Sequence, residues 1–478
     1  MSGSVTAELS SFVAGIRPGD VPHDVVETTK LLLLDDIGDA LGGFVTDRAR
    51  IALEFVQESG GKPSSSVIGG HSTSWALASF LNGELINALD YDAIGPLGSH
   101  ITPYVTPTPL ALAERRGASG MELITALALS HEIGGRVISS MAQQKMIVDE
   151  PPGYRESPRF STSGTVFGAV AGGAFLLGFD KETTANAFGV AGASTPVPGN
   201  IKWHHTTGPS IMLKYNCWTG WVAQLATVAV LLAEKGFTGD RTIFDGEYGY
   251  WQMVGSPYFL RENLLGGLGH IWHLDQVAFK MYPTCAPYHA AIEGISSIVL
   301  NEHLSAEDID SIVVKCDPIL LTPNRAHTEI RSFADMQFAV RPNMAVAVLY
   351  GDRPGPAWQM PQVYQDSRIA QLVPKISLQI HPDIDEILAG RSREGKLPIY
   401  MGSEVEITAR GKVFRTSVEA PRGSRTRPVG RNELIQKFMA NAAYSQLGTS
   451  RSEHLAELVL NLDNLADVRE LCAAFRAS

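Results

Sequence analysis

The stretch VVETTKLLLLDDIGDAL, Val25–Leu41, repeats apolar residues at the three- and four-residue spacing of an α-helix. The same period returns in SWALASFLNGELINAL, Ser74–Leu89, and in MELITALALSHEIGGRV, Met121–Val137. From the N-terminus to about residue 270 the chain therefore reads as helical throughout. Several of these helices carry Ala, Gly, Ser and Thr on the inward side, a composition that lets helices approach closely instead of building a thick Leu core. Gly178, Gly236 and Gly239 stand where helices should stop. The most apolar run, TVFGAVAGGAFLLGF from Thr165 to Phe179, is shorter than the roughly 20 residues of a membrane span. Its Gly and Ala content suits a helix buried among others.

Past about residue 270 the period changes. DSIVVKCD (310–317), PKISLQI (374–380) and SEVEITARGKVFRTSV (403–418) alternate as strands do, interleaved with helical CAPYHAAIEGISSIVL (285–300) and MAVAVLYG (344–351). From Arg431 the helical period returns in ELIQKFMANAAY (433–444) and SEHLAELVLNLDNL (452–465). Three parts follow: a helical domain over 1–270, an α+β domain over 271–425, and helices over 426–478 that pack back on the first domain. PGPAWQMPQVYQDS (354–367) and EAPRGSRTRPVGRN (419–432) read as loops, the second linking the α+β part to the terminal helices.

At 478 residues the chain is long enough for two or three domains, and 44% hydrophobic with 19% charged residues is a globular composition. A net charge of −11 excludes nucleic acid as the main partner, because phosphates are held by clustered Lys and Arg. An anionic ligand must then meet a local cluster of cations set against a repulsive field. Cys217, Cys285, Cys316 and Cys472 are scattered, without the CxxC spacing of zinc ribbons or redox sites. With an N-terminal MSGSVTAELSSFVAG that lacks the basic flank and apolar run of a secretory signal, this reads as a cytoplasmic protein.

Cofactor fingerprints are missing: no GxxxxGK[ST], no Rossmann glycine pattern after a strand, no GxSxG. His131 and Glu132 begin an HExxH pattern, but Gly135 stands where the second ligand belongs. Three other segments carry candidate chemistry. In LDYDAIGPLGSHITP (89–103), Asp90 and Asp92 close a helical run before a loop bearing His100; the alternative is a solvated turn capped by aspartates. In KWHHTTGPSIMLK (202–214), Lys202, His204, His205 and Lys214 precede a strongly apolar helix. There Lys214 needs an anionic partner, or else snorkels to the surface. In QVAFKMYPTCAPYHAAIEG (276–294), Lys280 lies in an apolar run that turns at Pro283 into a helix carrying His289. A lysine beside a helix N-terminus is a ready anion site, while His289 reads as an ordinary satisfied core histidine.

Together these segments resemble the MmgE/PrpD family, which includes 2-methylcitrate dehydratase, cis-aconitate decarboxylase and iminodisuccinate epimerase. The matching pieces are LDYD followed by SHITP (family form LDFDD…HPS), the helix after Lys214 ending VLLAEKGFTG, and VAFKMYP…H (family form IKxYP…H). SHEIGGRV (130–137) and DGEYGYW (245–251) are further landmarks. The resemblance implies a mainly α fold, a large all-helical domain with an inserted α+β lid domain, working as a homodimer without a cofactor. It implies Asp90 and His100 at the reacting carbon, with Lys214 and Lys280 holding substrate carboxylates. Around these four catalytic candidates, Asp92, Ser161, Thr162, His204, His205, Tyr282 and Arg341 are the substrate-binding candidates, and no residue is assigned to a metal.

Two departures bear on the reaction. RFSTSG (159–164) offers Ser161 or Thr162 where the decarboxylase and its relatives carry a histidine, and FAVRPNMAVAVLYG (338–351) has Ala339 and Pro342 for the family's Ser and Tyr, with Arg341 added. The leading expectation is a dehydratase similar to 2-methylcitrate dehydratase, abstracting a proton next to a carboxylate of a small di- or tricarboxylic acid. An isomerase, epimerase or decarboxylase on a related polycarboxylate is the alternative, and a carboxylate-binding protein without catalysis is a third.

Overall fold

The computed structural model describes residues 3–95, 100–141, 162–196, 199, 202–203, 205–214, 218–256, 258–393 and 400–476. Ser161 and His204 lie outside them. The chain is mainly α, with one small four-stranded sheet.

Helix α1 (Val5–Gly15) is followed by α2 (His23–Gly43), α3 (Asp47–Ser59) and α4 (Trp75–Ile86). Val25–Leu41 is the body of α2, buried almost all the way round, its apolar residues together with Lys30, Asp35, Asp36 and Asp39, charged groups that a buried helix can carry only when they are partnered. Next come α5 (Thr102–Val105), α6 (Pro107–Arg116), α7 (Gly120–Met141), α8 (Val166–Leu176), α9 (Lys181–Gly192) and α10 (Thr219–Glu234). The apolar run beginning at Thr165 is α8. No helix among the described residues is long and apolar enough to cross a membrane.

Gly168 and Gly172 explain how α8 lies so close to α7. A Cβ on Gly168 would stand 2.1 Å from the Ser130 carbonyl oxygen, and one on Gly172 would stand 2.6 Å from that of Ala126. Gly168→Ala would gain about 1 kcal/mol of helix propensity, yet it drives a methyl into backbone that cannot rotate away. We expect a net loss of about 2 kcal/mol, read as a lower urea midpoint; an unchanged midpoint would show that the two helices can separate freely. Gly178 and Gly236 take left-handed φ of +66° and +87° just past α8 and α10, as helix stops do. Gly239 does something else: its Cα packs against α9, where a Cβ would meet the Asn186 carbonyl oxygen at 2.4 Å.

The sheet is ordered β2-β1-β3-β4, with β1 (Ile309–Cys316), β2 (Ile376–Ile380), β3 (Ser403–Ala409) and β4 (Lys412–Val418). β1 and β2 are parallel, and the other pairs are antiparallel. β3 and β4 form a hairpin through Arg410 and Gly411, both at positive φ (51° and 68°), the twist that a two-residue turn requires. α11 (His289–Asn301) covers β3 and β4, and α12 (Val340–Tyr350) packs on α11. The stretch 354–367 is not a plain loop: Pro356–Gln359 and Pro361–Tyr364 are short helical turns.

Two apolar clusters result. One runs from Val5 to Leu274 and resumes from Phe438 to Phe475; the other holds Trp203 and residues from Cys285 to Ala409. The terminal helices α13 (Arg431–Ala442), α14 (Thr449–Leu460) and α15 (Arg469–Phe475) follow the sheet, and both α13 and α14 pack on α2.

Candidate active site

α4 ends at Ile86, and the next residues run between the two clusters. Asp90 takes a left-handed φ of 54°, a conformation that Asp tolerates better than most side chains. Past it, Ile94 exchanges backbone hydrogen bonds of 2.8 Å with Ala278, and Tyr91 donates to the Met281 carbonyl at 3.1 Å. The loop bearing Asp90 is thereby stitched to the segment bearing Lys280.

Asp90, Asp92, His100, Lys214 and Lys280 are all buried and converge. Lys280 Nζ donates to the Asp90 carbonyl at 2.7 Å and to its Oδ2 at 3.1 Å. Lys214 Nζ donates to the Asn87 carbonyl at 2.5 Å and stands 3.7 Å from Asp90 Oδ1. His100 donates from Nδ1 to Asp92 Oδ2 at 2.6 Å, and its Nε2 faces Asp90 Oδ1 at 3.5 Å. The solvated-turn alternative for the two aspartates does not describe this arrangement.

Burial opposes charge on each carboxylate, but cations outweigh it. Asp90 is held below its ordinary range by Lys280, Lys214 and His100, and Asp92 is held further below by His100 and the two lysines. Lys214 is the counterpart. Burial pulls its ammonium down to about 7, against the support of Asp90, so it changes charge near neutrality. An ammonium has three N–H groups, and Lys280 directs two of them to Asp90; the third can meet a ligand.

Donor atoms of Asp90, Asp92 and His100 lie within 4.8 Å of one another, the clustering a metal ion would need. The donor set does not fit one, since a cation would enter beside two ammonium groups already on Asp90. The cluster suits the carboxylate of a ligand.

The other candidates are placed as follows. Tyr282 is wedged between His289 and Trp358, ring centroids 5.3 and 5.6 Å away, and burial pushes its phenol up to about 12. His289 is a core histidine, pushed down to about 3 by burial and bonded to the Thr284 carbonyl. Buried Thr162 donates to the Tyr104 hydroxyl at 3.4 Å, next to the helix that follows His100. His205 is exposed, and Arg341 is half-buried in the first turn of α12; neither joins the cluster. Glu132 of the HE pair is occupied by Arg136 and His273.

Sequence reasoning missed a surrounding layer. Arg48, Glu84 and Asn87 form a buried network behind Asp92. Gln337 donates to the Ala88 carbonyl and Gln359 to those of Leu89 and Pro283, clamping the segments that bear Asp90 and Lys280 from the α+β part. Lys437 of α13 pairs with Asp35 at 2.7 Å and Asp39 at 3.3 Å, and donates to the Tyr91 carbonyl at 2.8 Å. Charged and amide residues inside otherwise apolar runs (Asp35 and Asp39 in α2, Glu84 in α4 and Asn87 just past its end) were the available signal, because such groups are buried only when paired.

Residues 7–261 match the MmgE/PrpD N-terminal domain and residues 282–464 the MmgE/PrpD C-terminal domain. The chain is 25% identical to the cis-aconitate decarboxylase-like protein oryM of Aspergillus oryzae, over 98% of this chain and 97% of the relative. It is 25% identical to the cis-aconitate decarboxylase of Homo sapiens, covering 98% and 93%, and 24% identical to that of Aspergillus terreus, covering 98% and 95%.

Proposed function

Because the chain belongs to the MmgE/PrpD family, we propose that it is a lyase of small polycarboxylates, moving a proton at a carbon next to a carboxylate. The observation that carries this is the buried set of one His, two Asp and two Lys around a single point. Decarboxylation of an acid like cis-aconitate is the first reading. Its support is the naming of relatives aligned over nearly the whole chain, which favours it over the dehydratase expected from the sequence.

The chemistry is within reach of these groups. When the bond to a carboxylate breaks and CO2 leaves, the electron pair spreads onto a neighbouring carboxylate, and the ammonium groups of Lys214 and Lys280 stabilise that charge. His100 is anchored through Nδ1 on Asp92 and turns Nε2 toward Asp90 Oδ1; as the imidazolium it passes the Nε2 proton to the carbon and returns to the Nδ1-protonated ring. Dehydration is the second reading: Lys214, at about 7, is poised to give a proton to a leaving hydroxide. The family resemblance also supports a cytoplasmic homodimer.

Proton NMR in deuterium oxide with cis-aconitate, citrate, 2-methylcitrate and iminodisuccinate tests this. Decarboxylation yields the paired vinylidene signals of a methylene-succinate. A new vinyl signal from citrate, or an allylic methyl singlet replacing the methyl doublet of 2-methylcitrate, would replace it with dehydration, and deuterium exchange alone with an isomerase. Silence on all four would leave a binding protein.

The pH profile has a defined sign. Lys214 is an ammonium below about 7 and a neutral amine above it, so carboxylate capture weakens as pH rises. We expect kcat/KM to fall about 25-fold between about pH 6.5 and about pH 8.5; a flat profile would remove Lys214 from the binding step.

A further inference from the structure

Asn87 is 1% exposed and has three polar neighbours with no freedom in their roles. Its Oδ1 accepts from Arg48 at 3.0 Å, its Nδ2 donates to Asp92 Oδ1 at 2.9 Å, and its carbonyl accepts Lys214 Nζ at 2.5 Å. A guanidinium can only donate, and a carboxylate held ionised can only accept, so the amide has one orientation. Arg48 is equally determined: Nε meets Glu84 at 2.8 Å, one NH2 group meets Asn87, and the other meets Thr219 at 2.9 Å.

The support behind these groups is rigid. Glu84 also accepts from the Gly220 N–H at 2.7 Å, and a Cβ on Gly220 would stand 2.5 Å from the Phe80 carbonyl oxygen. α4 and α10 are thus in backbone contact where the network is anchored. Asp92, by contrast, sits in a loop, and its two carboxylate oxygens are divided: one takes Asn87, the other takes His100.

We propose that Arg48 and Asn87 are positioning residues, which hold Asp92 from behind and through it fix the proton of His100 on Nδ1, with Nε2 turned toward Asp90. This rests on the reading of His100 as the proton-transfer group. A chain running from guanidinium to amide to carboxylate to imidazole passes the rigidity of two packed helices to a ring carried on a loop. It also accounts for a guanidinium held in the interior by a partner set that reaches directly toward the site.

Asn87→Asp and Arg48→Lys test it in the full chain. Aspartate keeps the size of asparagine but turns the donor facing Asp92 into an acceptor, so the two carboxylates must share a proton and His100 loses its firm acceptor. Lysine keeps the charge beside Glu84, but a single ammonium cannot span Glu84, Asn87 and Thr219 together. Two readouts are taken. Nitrogen NMR of ring-labelled histidine, with His100 assigned by loss of its signal in His100→Gln, reports the tautomer without substrate. Turnover of cis-aconitate gives kcat and KM separately.

We expect a single Nδ1-protonated form of His100 in the parent protein and a shift away from it in both variants. kcat should fall about 100-fold for Asn87→Asp and about tenfold for Arg48→Lys, with KM within about threefold. Ring nitrogens unchanged in both folded variants overturn the proposal, as does a loss confined to KM. Should Asn87→Asp not fold, Arg48→Lys decides alone. If the parent protein leaves cis-aconitate untouched, the functional reading fails, while the tautomer measurement still decides the positioning role.

Discussion

Replacing His100 with glutamine is expected to lower kcat about a thousandfold while KM stays within about threefold. Glutamine fills much of the space of the ring, and its amide can still donate to Asp92, so the loop should keep its shape. What disappears is a group able to take up and release a proton at the place now occupied by Nε2, 3.5 Å from Asp90. The two lysines, to which we assign the attraction for a carboxylate, are untouched. A variant retaining a tenth or more of the parent turnover would mean that the proton travels by another group, with Lys214 the first to examine.

Replacing Lys280 with methionine should be costly twice over. Both members of the Asp90–Lys280 pair are buried, at 0 and 2% exposure of the side chain, and breaking such a pair by removing one partner costs about 3 kcal/mol or more, because the other charge is left without compensation. Asp90 would answer by holding a proton, since burial already pushes its carboxyl upward and Lys280 is the strongest opposing influence. kcat/KM should fall about a thousandfold. The double variant Lys280→Met, Asp90→Asn separates the two effects: stability should return to within about 1 kcal/mol of the parent, and activity should not return at all. If the single variant melts with the parent protein, the pair contributes little to the fold, and the placement of Asp90 must come from the backbone turn alone.

The parts of the fold that were legible in the sequence are those whose information is local. α2, α4 and α7 announce themselves by a 3.6-residue period, and β1, β3 and β4 by alternation, although the turn at Arg410 and Gly411 that divides the last run into a hairpin was not read from it. The segments carrying Asp90, His100, Lys214 and Lys280 were legible as cations and carboxylates next to turns, but their meeting was implied only by the family resemblance, because it depends on Ile94 pairing with Ala278 across the chain. The misjudged stretch is 354–367. Its Pro and Gly content signals a loop, yet contacts made after folding wind it into two turns and direct Gln359 onto the Leu89 and Pro283 carbonyls. His205 shows the converse, since nearness in sequence to Lys214 says nothing about which of them faces inward.

Lys437 adds an order of events. It touches Tyr91 between the two site aspartates, and it lies 398 residues beyond Asp39, with which it also pairs. During synthesis the helical part emerges first, so Asp35 and Asp39 wait in a nascent chain without the cation that belongs beside them. A core holding two uncompensated carboxyls closes poorly, and the Tyr91 carbonyl lacks the donor that Lys437 brings to it. The ribosome must therefore deliver the last tenth of the chain before the turn bearing Asp90 and Asp92 can settle, and a nascent chain stalled before residue 437 should remain open, protease-sensitive and silent.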